Sequence, residues 1–272
     1  MSKILEHGTM EWDLFSKIAD ELASEALSST LVFALHSEPL LDIRLFAWVK
    51  HIKSIHSKCY CIIPTNGELL DTFTLTEIMQ SGLDQLTISL NAHSKETYES
   101  INIGLDYDRV MKNVYYLLSD RSMKQKVELR FALTEENVHD VQQAVDYWKT
   151  QGVHTKVRGI TNRAGSLDNY ERLRLKDAQY TRALLWRFWK HLMSMAHGAI
   201  GCDLPFYQMN VLFNGDAIVC CHDWKRATVV GNVKTSSLKS IWNSDRMNEI
   251  RRLILRKRYE QINSCRECSL VK

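Results

Sequence analysis

The sequence predicts an α/β fold, a partial (β/α) barrel with mostly parallel strands followed by a small cysteine-rich module. Three observations carry this expectation. Short apolar runs of strand type alternate with helical stretches as far as Ile160, five of the seven cysteines fall beyond residue 200, and residues 225–272 hold twelve Lys or Arg against four Asp or Glu. Strands alternating with helices imply right-handed βαβ units and a parallel sheet, open or curled into a barrel. The clustering of cysteine and positive charge marks a boundary near residue 200.

Trp12 to Ala26 has helical periodicity, with Phe15, Ile18, Leu22 and Ala26 on one face. Leu31 to Leu35 reads as a strand, Leu40 to Ile55 as a helix, and Tyr60 to Ile63 as a strand ending in the turn Pro64-Thr65-Asn66-Gly67. Thr74 to Gln80 is a short helix before the strand Leu86 to Leu90, and Tyr107 to Leu118 is a helix. Val127 to Leu133 is a strand, Asn137 to Gln151 a helix, and Thr155 to Ile160 the fifth strand. In open and closed α/β sheets alike the C-terminal ends of the strands form the ligand face. That face gathers Ser37-Glu38-Pro39, Thr65-Asn66-Gly67 and Ser89-Leu90-Asn91.

After Gly165 the alternation stops. Asp168 to Ala199 reads as a helical connector rich in Trp186, Phe188 and Trp189, with His191 and His197 as surface or packing groups. Val211 to Val219 carries Asn214-Gly215, a hairpin signal because a two-residue turn needs positive backbone angles, and the hairpin delivers Cys220 at its end. Leu238 to Arg258 reads as one basic amphipathic helix. The expected organisation is therefore residues 1–165 as the barrel, 166–200 as the connector and 201–272 as the module.

The chain is 45% hydrophobic, ordinary for a globular protein. Met1 to Glu11 carries no signal pattern and no run of about eighteen apolar residues occurs, so neither export nor a membrane span is supported and a cytoplasmic location is expected. Cysteines in that compartment stay thiols rather than forming a disulfide framework. The basic tail reads as a solvated helix face or as a docking surface for an acidic electron-donor protein. Nucleic-acid binding is disfavoured, because no stacking aromatics are interleaved with the charges.

Cys59 and Cys61 are two apart on an expected strand and share a face, which favours buried thiols over ligation. Cys265-x-x-Cys268 can place two sulfurs on one metal centre, and Cys202 and Cys220 complete a four-thiolate set. The spacing alone leaves zinc and an iron-sulfur cluster open. His222 and Asp223 follow the hairpin cysteines, where either is a candidate general base. The alternative for Asp223 is a cap or an ion pair with Lys225 or Arg226.

Cys202-x-x-Pro205, Asn214-Gly215-x4-Cys220-Cys221-x-Asp223, Gly231-Asn232, Ser237-Leu238-x-x-Ile241-Trp242-Asn243, Arg251 and Cys265-x-x-Cys268 resemble the SPASM/twitch module of radical S-adenosylmethionine enzymes. The shorter twitch form fits best, since too few cysteines remain for two clusters. The resemblance implies one auxiliary four-iron, four-sulfur cluster on Cys202, Cys220, Cys265 and Cys268, with Cys220 chosen over Cys221 by its spacing from Gly215. Upstream, Gly8-Thr9-Met10, Glu38-Pro39-Leu40-Leu41, Thr65-Asn66-Gly67, Ile88-Ser89-Leu90-Asn91 and Arg130 resemble the same family's core. There the resemblance implies an S-adenosylmethionine site. Ser37 and Glu38 would meet the methionine amino group, Asn66 would lie at the same strand-end face, and Ser89 and Arg130 would take the ribose and carboxylate. Where the family has Gly before this Glu, the chain has Ser37.

The family's C-x3-C-x2-C loop, which binds the cluster that cleaves S-adenosylmethionine, is absent from this sequence. Two explanations compete: an N-terminally truncated form of an active radical enzyme, or a degenerate homologue that kept only the auxiliary cluster. The persistence of Glu38, Asn66 and Ser89 favours truncation. On either explanation the chain as given is expected not to cleave the cofactor. By resemblance the substrate is a small molecule or a peptide, and the reaction a hydrogen abstraction with the auxiliary cluster taking up the leftover electron. A zinc-stabilised binding or scaffold protein without redox chemistry is the alternative from another class.

Overall fold

The computed structural model describes residues 7–25, 29–176 and 202–271. Most of the expected connector, including Trp186, Phe188, Trp189, His191 and His197, lies outside the described residues. Among them no helix is long and apolar enough to cross a membrane.

Five strands, β1 (Thr30–Val32), β2 (Tyr60–Thr65), β3 (Gln85–Ser89), β4 (Val127–Leu133) and β5 (His154–Gly159), form one sheet in the order β1-β2-β3-β4-β5. Every pairing is parallel. This is the sheet the alternation predicts. One face is apolar and closed: Cys61, Ile63, Leu86, Ile88, Leu129 and Phe131 are each no more than 1% exposed. Burial of each such aliphatic or aromatic side chain contributes roughly 1.5–3 kcal/mol. Residues of the opposite parity, Gln85, Thr87, Ser89, Glu128, Arg130, His154, Lys156 and Arg158, share the other face, because successive side chains alternate across a strand.

The helices between the strands start where the sequence supplies caps. Thr74 accepts from the Glu77 amide while Glu77 reaches back to the Thr74 amide, a capping box ahead of Leu75–Gln80. Asp106 accepts from Asp108 and Arg109 ahead of Tyr107–Leu118. The latter helix and β4 coincide with their expected bounds.

β1 is shorter than expected, and Pro64 explains it. The Phe33 amide donates to the Ile62 carbonyl at 2.9 Å. The next bond of a parallel ladder would need an N–H at residue 64, which proline lacks. Pro64 and Thr65 belong to β2 rather than to a turn, and the turn itself sits at Gly67, whose φ of 87° suits glycine.

Contacts divide the chain into two compact units, Leu22–Ile160 and, together, Met1–Glu21 and Thr161–Lys272. The boundary expected at residue 165 thus falls at 160, and the chain's first segment groups with the module. On the helix Trp12–Ser24, Lys17 donates to the Ser236 carbonyl at 3.2 Å and Glu21 accepts from the Leu238 amide at 2.6 Å. Gly8 lies against the Phe213 ring, where a Cβ would come within 2.3 Å of an aromatic carbon.

The module contains an antiparallel sheet of β6 (Asn210–Val211), β7 (Asp216–Ile218) and β8 (Val229–Asn232). In the β6–β7 turn only Gly215 takes positive φ, 91°, while the Asn214 side chain accepts from the Asp216 amide at 3.1 Å. The expected two-residue turn is therefore a longer one closed by a left-handed glycine. The single basic helix expected over Leu238–Arg258 is two helices, Leu238–Trp242 and Asp245–Leu255. Ser244 causes the break, because its hydroxyl caps the second helix by accepting from the Met247 amide.

Candidate functional site

The residues expected to form sites fall into two sets, one in each unit. In the first, Glu38 sits at the N-cap of Pro39–Leu41 and faces the end of β2. Its carboxylate accepts from the Leu40 amide at 3.1 Å, the Thr65 hydroxyl at 2.7 Å and the Asn66 amide at 2.8 Å. Three donors on one half-exposed carboxylate fix its direction. Asn66 turns its own side chain to the Glu68 amide at 3.0 Å, so its contribution at this edge is the backbone. Ser37 is exposed on the loop before Glu38.

Ser89, the last residue of β3, is the register partner of Arg130 in the middle of β4, and Arg130 is in turn partnered with Lys156 of β5. These three form one cross-strand row. Arg130 is paired with the buried carboxylate of Glu128, which also meets His154 at 3.3 Å. The sequence reading missed Lys156 and Arg158. Their signal was the alternation of β5, which places both on the parity of Arg130. Asn91 proves structural: in left-handed conformation at φ 61°, it accepts from the Ala132 amide at 2.9 Å and its carbonyl takes a hydrogen bond from Asn137 at 2.8 Å.

In the second unit, β7 and β8 shift register between Ala217 and Ile218, just before Cys220. Such an irregularity re-aims the residues that follow it. Asp223 then ties the outgoing chain. It is fully buried, and its carboxylate accepts from the Ala227 amide at 2.9 Å and the Thr228 amide at 2.8 Å. This corrects the expectation of Asp223 as a general base, since both oxygens are committed to the turn and no solvent reaches it. The chain of contacts continues from Thr228 to Ser264, hydroxyl to hydroxyl at 3.0 Å, and so to the residue beside Cys265. His222 places Nδ1 3.1 Å from the Thr161 hydroxyl, and burial together with the Arg163 charge lowers its pKa.

Cys220, Cys265 and Cys268 are each 7% exposed, and Cys202 is half-buried. Burial raises all four thiols above their ordinary value, Cys265 up to about 12, and charge repulsion among the sulfurs adds to it. Cys202 is within electrostatic reach of Cys268, Cys265 of both Cys202 and Cys268, and Cys220 of Cys265. Against this, the amides of Leu204, His222 and Leu270 favour the charged forms of Cys202, Cys220 and Cys268, the Ser264 side chain that of Cys265, and the Ala164 amide also that of Cys268. Buried sulfurs that repel one another, with neighbouring groups favouring their charged forms, suit thiolates neutralised by a metal centre. Among the described residues no three metal-ligating side chains converge on one point as a single ion requires. Cys202, Cys265 and Cys268 interact with one another through Cys202–Cys268, Cys202–Cys265 and Cys265–Cys268, and Cys220 joins them through Cys265. Cys221, half-buried, lies within reach of Cys202, Cys220 and Cys268.

Cys59 and Cys61 form a separate group. Both are fully buried, and the Ser29 hydroxyl lies 3.6 Å from the Cys59 sulfur. A hydrogen bond with Cys61 lowers the Cys59 thiol and raises that of Cys61, and the nearby His56 and Lys53 charges also favour the Cys59 thiolate.

Residues 202–269 match the SPASM family, described as an iron-sulfur cluster-binding domain. Over 97% of the chain and 80% of the relative, the sequence is 22% identical to the tungsten-containing aldehyde ferredoxin oxidoreductase cofactor-modifying protein of Pyrococcus furiosus. It is 20% identical, over the whole chain and 85% of the relative, to the S-adenosyl-L-methionine-dependent 2-deoxy-scyllo-inosamine dehydrogenase of Niallia circulans. Among solved structures, the fold is similar to BtrN in complex with AdoMet and 2-DOIA, with a TM-score of 0.65 at 18% identity over 97% of this chain and 82% of that one. It is also similar to native anSMEcpe with bound AdoMet and Kp18Cys peptide, with a TM-score of 0.68 at 16% identity over 93% and 77%. In fold along nearly its whole length, and in sequence over an iron-sulfur cluster-binding domain at residues 202–269, the chain resembles the radical S-adenosylmethionine enzymes that carry a SPASM module.

Proposed function

We propose that the chain holds one four-iron, four-sulfur cluster on Cys202, Cys220, Cys265 and Cys268 and serves an S-adenosylmethionine-dependent oxidation of a small-molecule or peptide substrate. The observation that carries this reading is the gathering of three buried thiols and the half-buried Cys202 inside the segment that matches an iron-sulfur domain. When bound, such a cluster supplies a one-electron acceptor. The protein's part is to aim the four sulfurs, through the Asp223 turn and the Ser264 link, and to shield them from water.

At the other site, the ends of β2 and β3 and the middle of β4 beside them hold S-adenosylmethionine. Glu38, already oriented by Thr65 and Asn66, accepts from the methionine amino group beside the exposed Ser37, while Ser89 and Arg130 face the ribose and carboxylate. The relatives' printed activities support this class of chemistry: one is named an S-adenosyl-L-methionine-dependent dehydrogenase. The exposed cations Arg252, Arg256, Lys257 and Arg258 suit docking by an acidic electron-donor protein in the cytoplasm.

These 272 residues contain no C-x3-C-x2-C sequence, so they bind S-adenosylmethionine without cleaving it. Anaerobic reconstitution tests the first claim, with about four irons and four sulfides per chain expected. One zinc and no sulfide would establish the zinc alternative. Incubation of the reconstituted protein with dithionite and S-adenosylmethionine tests the second, and 5′-deoxyadenosine above a protein-free control would refute it.

A further inference from the structure

Three consecutive residues, Arg163, Ala164 and Gly165, take left-handed backbone angles, with φ of 50°, 53° and 77°. For the first two this conformation costs energy that a side chain of L chirality does not recover locally. The surrounding contacts hold it in place. Asn162 clamps the chain on both sides of Cys268: its amide donates to the Ser269 hydroxyl at 3.0 Å, its side-chain oxygen accepts from the Ser269 amide at 2.9 Å, and its side-chain nitrogen donates to the Glu267 carbonyl. Gly165 packs against Glu267 so closely that a Cβ would fall 2.4 Å from a carboxylate oxygen and 3.0 Å from the Glu267 Cβ. Arg163 lies over the Trp224 ring at 4.1 Å, and Thr161 meets His222.

The outcome is a fixed position for Cys268, which lies between the two residues that Asn162 holds. The clamp comes from a segment about a hundred residues away, outside the span that matches the iron-sulfur domain. The Ala164 amide of the same loop favours the charged form of the Cys268 sulfur. From the clamp we infer that the loop Thr161–Ser166 is part of the cluster site, and that Asn162 is its positioning residue, fixing Cys268. The inference rests on the cluster reading above. Hydrogen bonds to ligand sulfurs stabilise their negative charge and set the reduction potential of an iron-sulfur centre.

The test uses the full chain reconstituted anaerobically, wild type beside Asn162→Ala, Asn162→Asp, Gly165→Ala and the control Asn169→Ala, an exposed position whose side chain caps nothing. Iron release to a chelator is timed and the reduction potential titrated by visible absorption and electron paramagnetic resonance. Removing an outer-shell partner typically costs 10–100-fold in metal affinity, so Asn162→Ala is expected to release iron about tenfold faster or more and to show a more negative potential. Asn162→Asp keeps the acceptor for Ser269 but not the donor to Glu267 and falls between. Gly165→Ala changes in the same direction as Asn162→Ala, and Asn169→Ala behaves as wild type. A wild-type release rate and potential in Asn162→Ala, or a lowered unfolding midpoint with unchanged potential, overturns the inference while leaving the cluster reading intact. Failure of the wild type itself to take up iron and sulfide overturns both.

Discussion

The two groups of cysteines are made of the same residue, and all but Cys202 are buried, yet their surroundings differ in kind. Cys59 and Cys61 satisfy each other: one is lowered and the other raised by a shared hydrogen bond, and Ser29 completes the set. In the module all four thiols are raised together by burial and by one another's charge. Burial alone therefore does not identify a ligand. On the proposed reading, the distinguishing mark is a group of thiols that burial and mutual repulsion keep from the charged form until a metal neutralises them.

The largest effect expected from this contrast is in iron content. Cys220→Ala or Cys265→Ala should reduce the reconstituted protein from about four irons to nearly none, whereas Cys61→Ala should keep full iron and sulfide. Iron loss in Cys61→Ala would erase the distinction drawn between the groups. Next is the turn that aims Cys220. Asp223→Asn leaves one buried amide facing an NH2 group, and denaturant unfolding should show a loss of about 1–3 kcal/mol. An unchanged midpoint would mean that the turn does not depend on the carboxylate. At the sheet's C-terminal edge, Glu38→Gln should weaken S-adenosylmethionine binding about tenfold, or 1.4 kcal/mol, by calorimetry, and unchanged affinity would remove Glu38 from the cofactor site. The smallest effect belongs to Cys221→Ala, expected to bind iron as the wild type does. If it loses as much iron as Cys220→Ala, the ligand assignment within the Cys220-Cys221 pair is unsafe.

The parallel sheet was legible because its signals are local: apolar runs such as Val127 to Leu133 and caps such as Thr74 and Asp106 act within a few residues. The misreadings came from competition between signals that periodicity does not rank. Pro64 read as a turn former when its effect is to withhold one ladder bond from β1, and Ser244 interrupted a helical pattern that the hydrophobic positions would have continued. At the sites, residue types with a chemical signature were visible, as with the four cysteines and Glu38. Asn162, by contrast, has no signature of its own. Its importance comes from partners at Glu267 and Ser269, which no local pattern connects to it. For Asp223 the sequence left a general base and a cap both open, and the buried amides of Ala227 and Thr228, which its carboxylate meets, favour the cap.

The Asn162–Ser269 contact joins residues 107 positions apart. Loop-closure entropy must be met before such a contact gives any return, and chains dominated by distant contacts fold slowly. The sheet of Leu22–Ile160 pairs each strand with its successor, so its assembly can proceed stepwise as neighbouring strands meet. The expected order of events is therefore barrel strands first and the cysteine site last, with Cys265 and Cys268 open to solvent in the interval. During that interval the thiols are exposed to oxidants and to competing metals, which makes the timing of iron delivery, as much as the affinity of the finished site, a determinant of which centre the protein acquires.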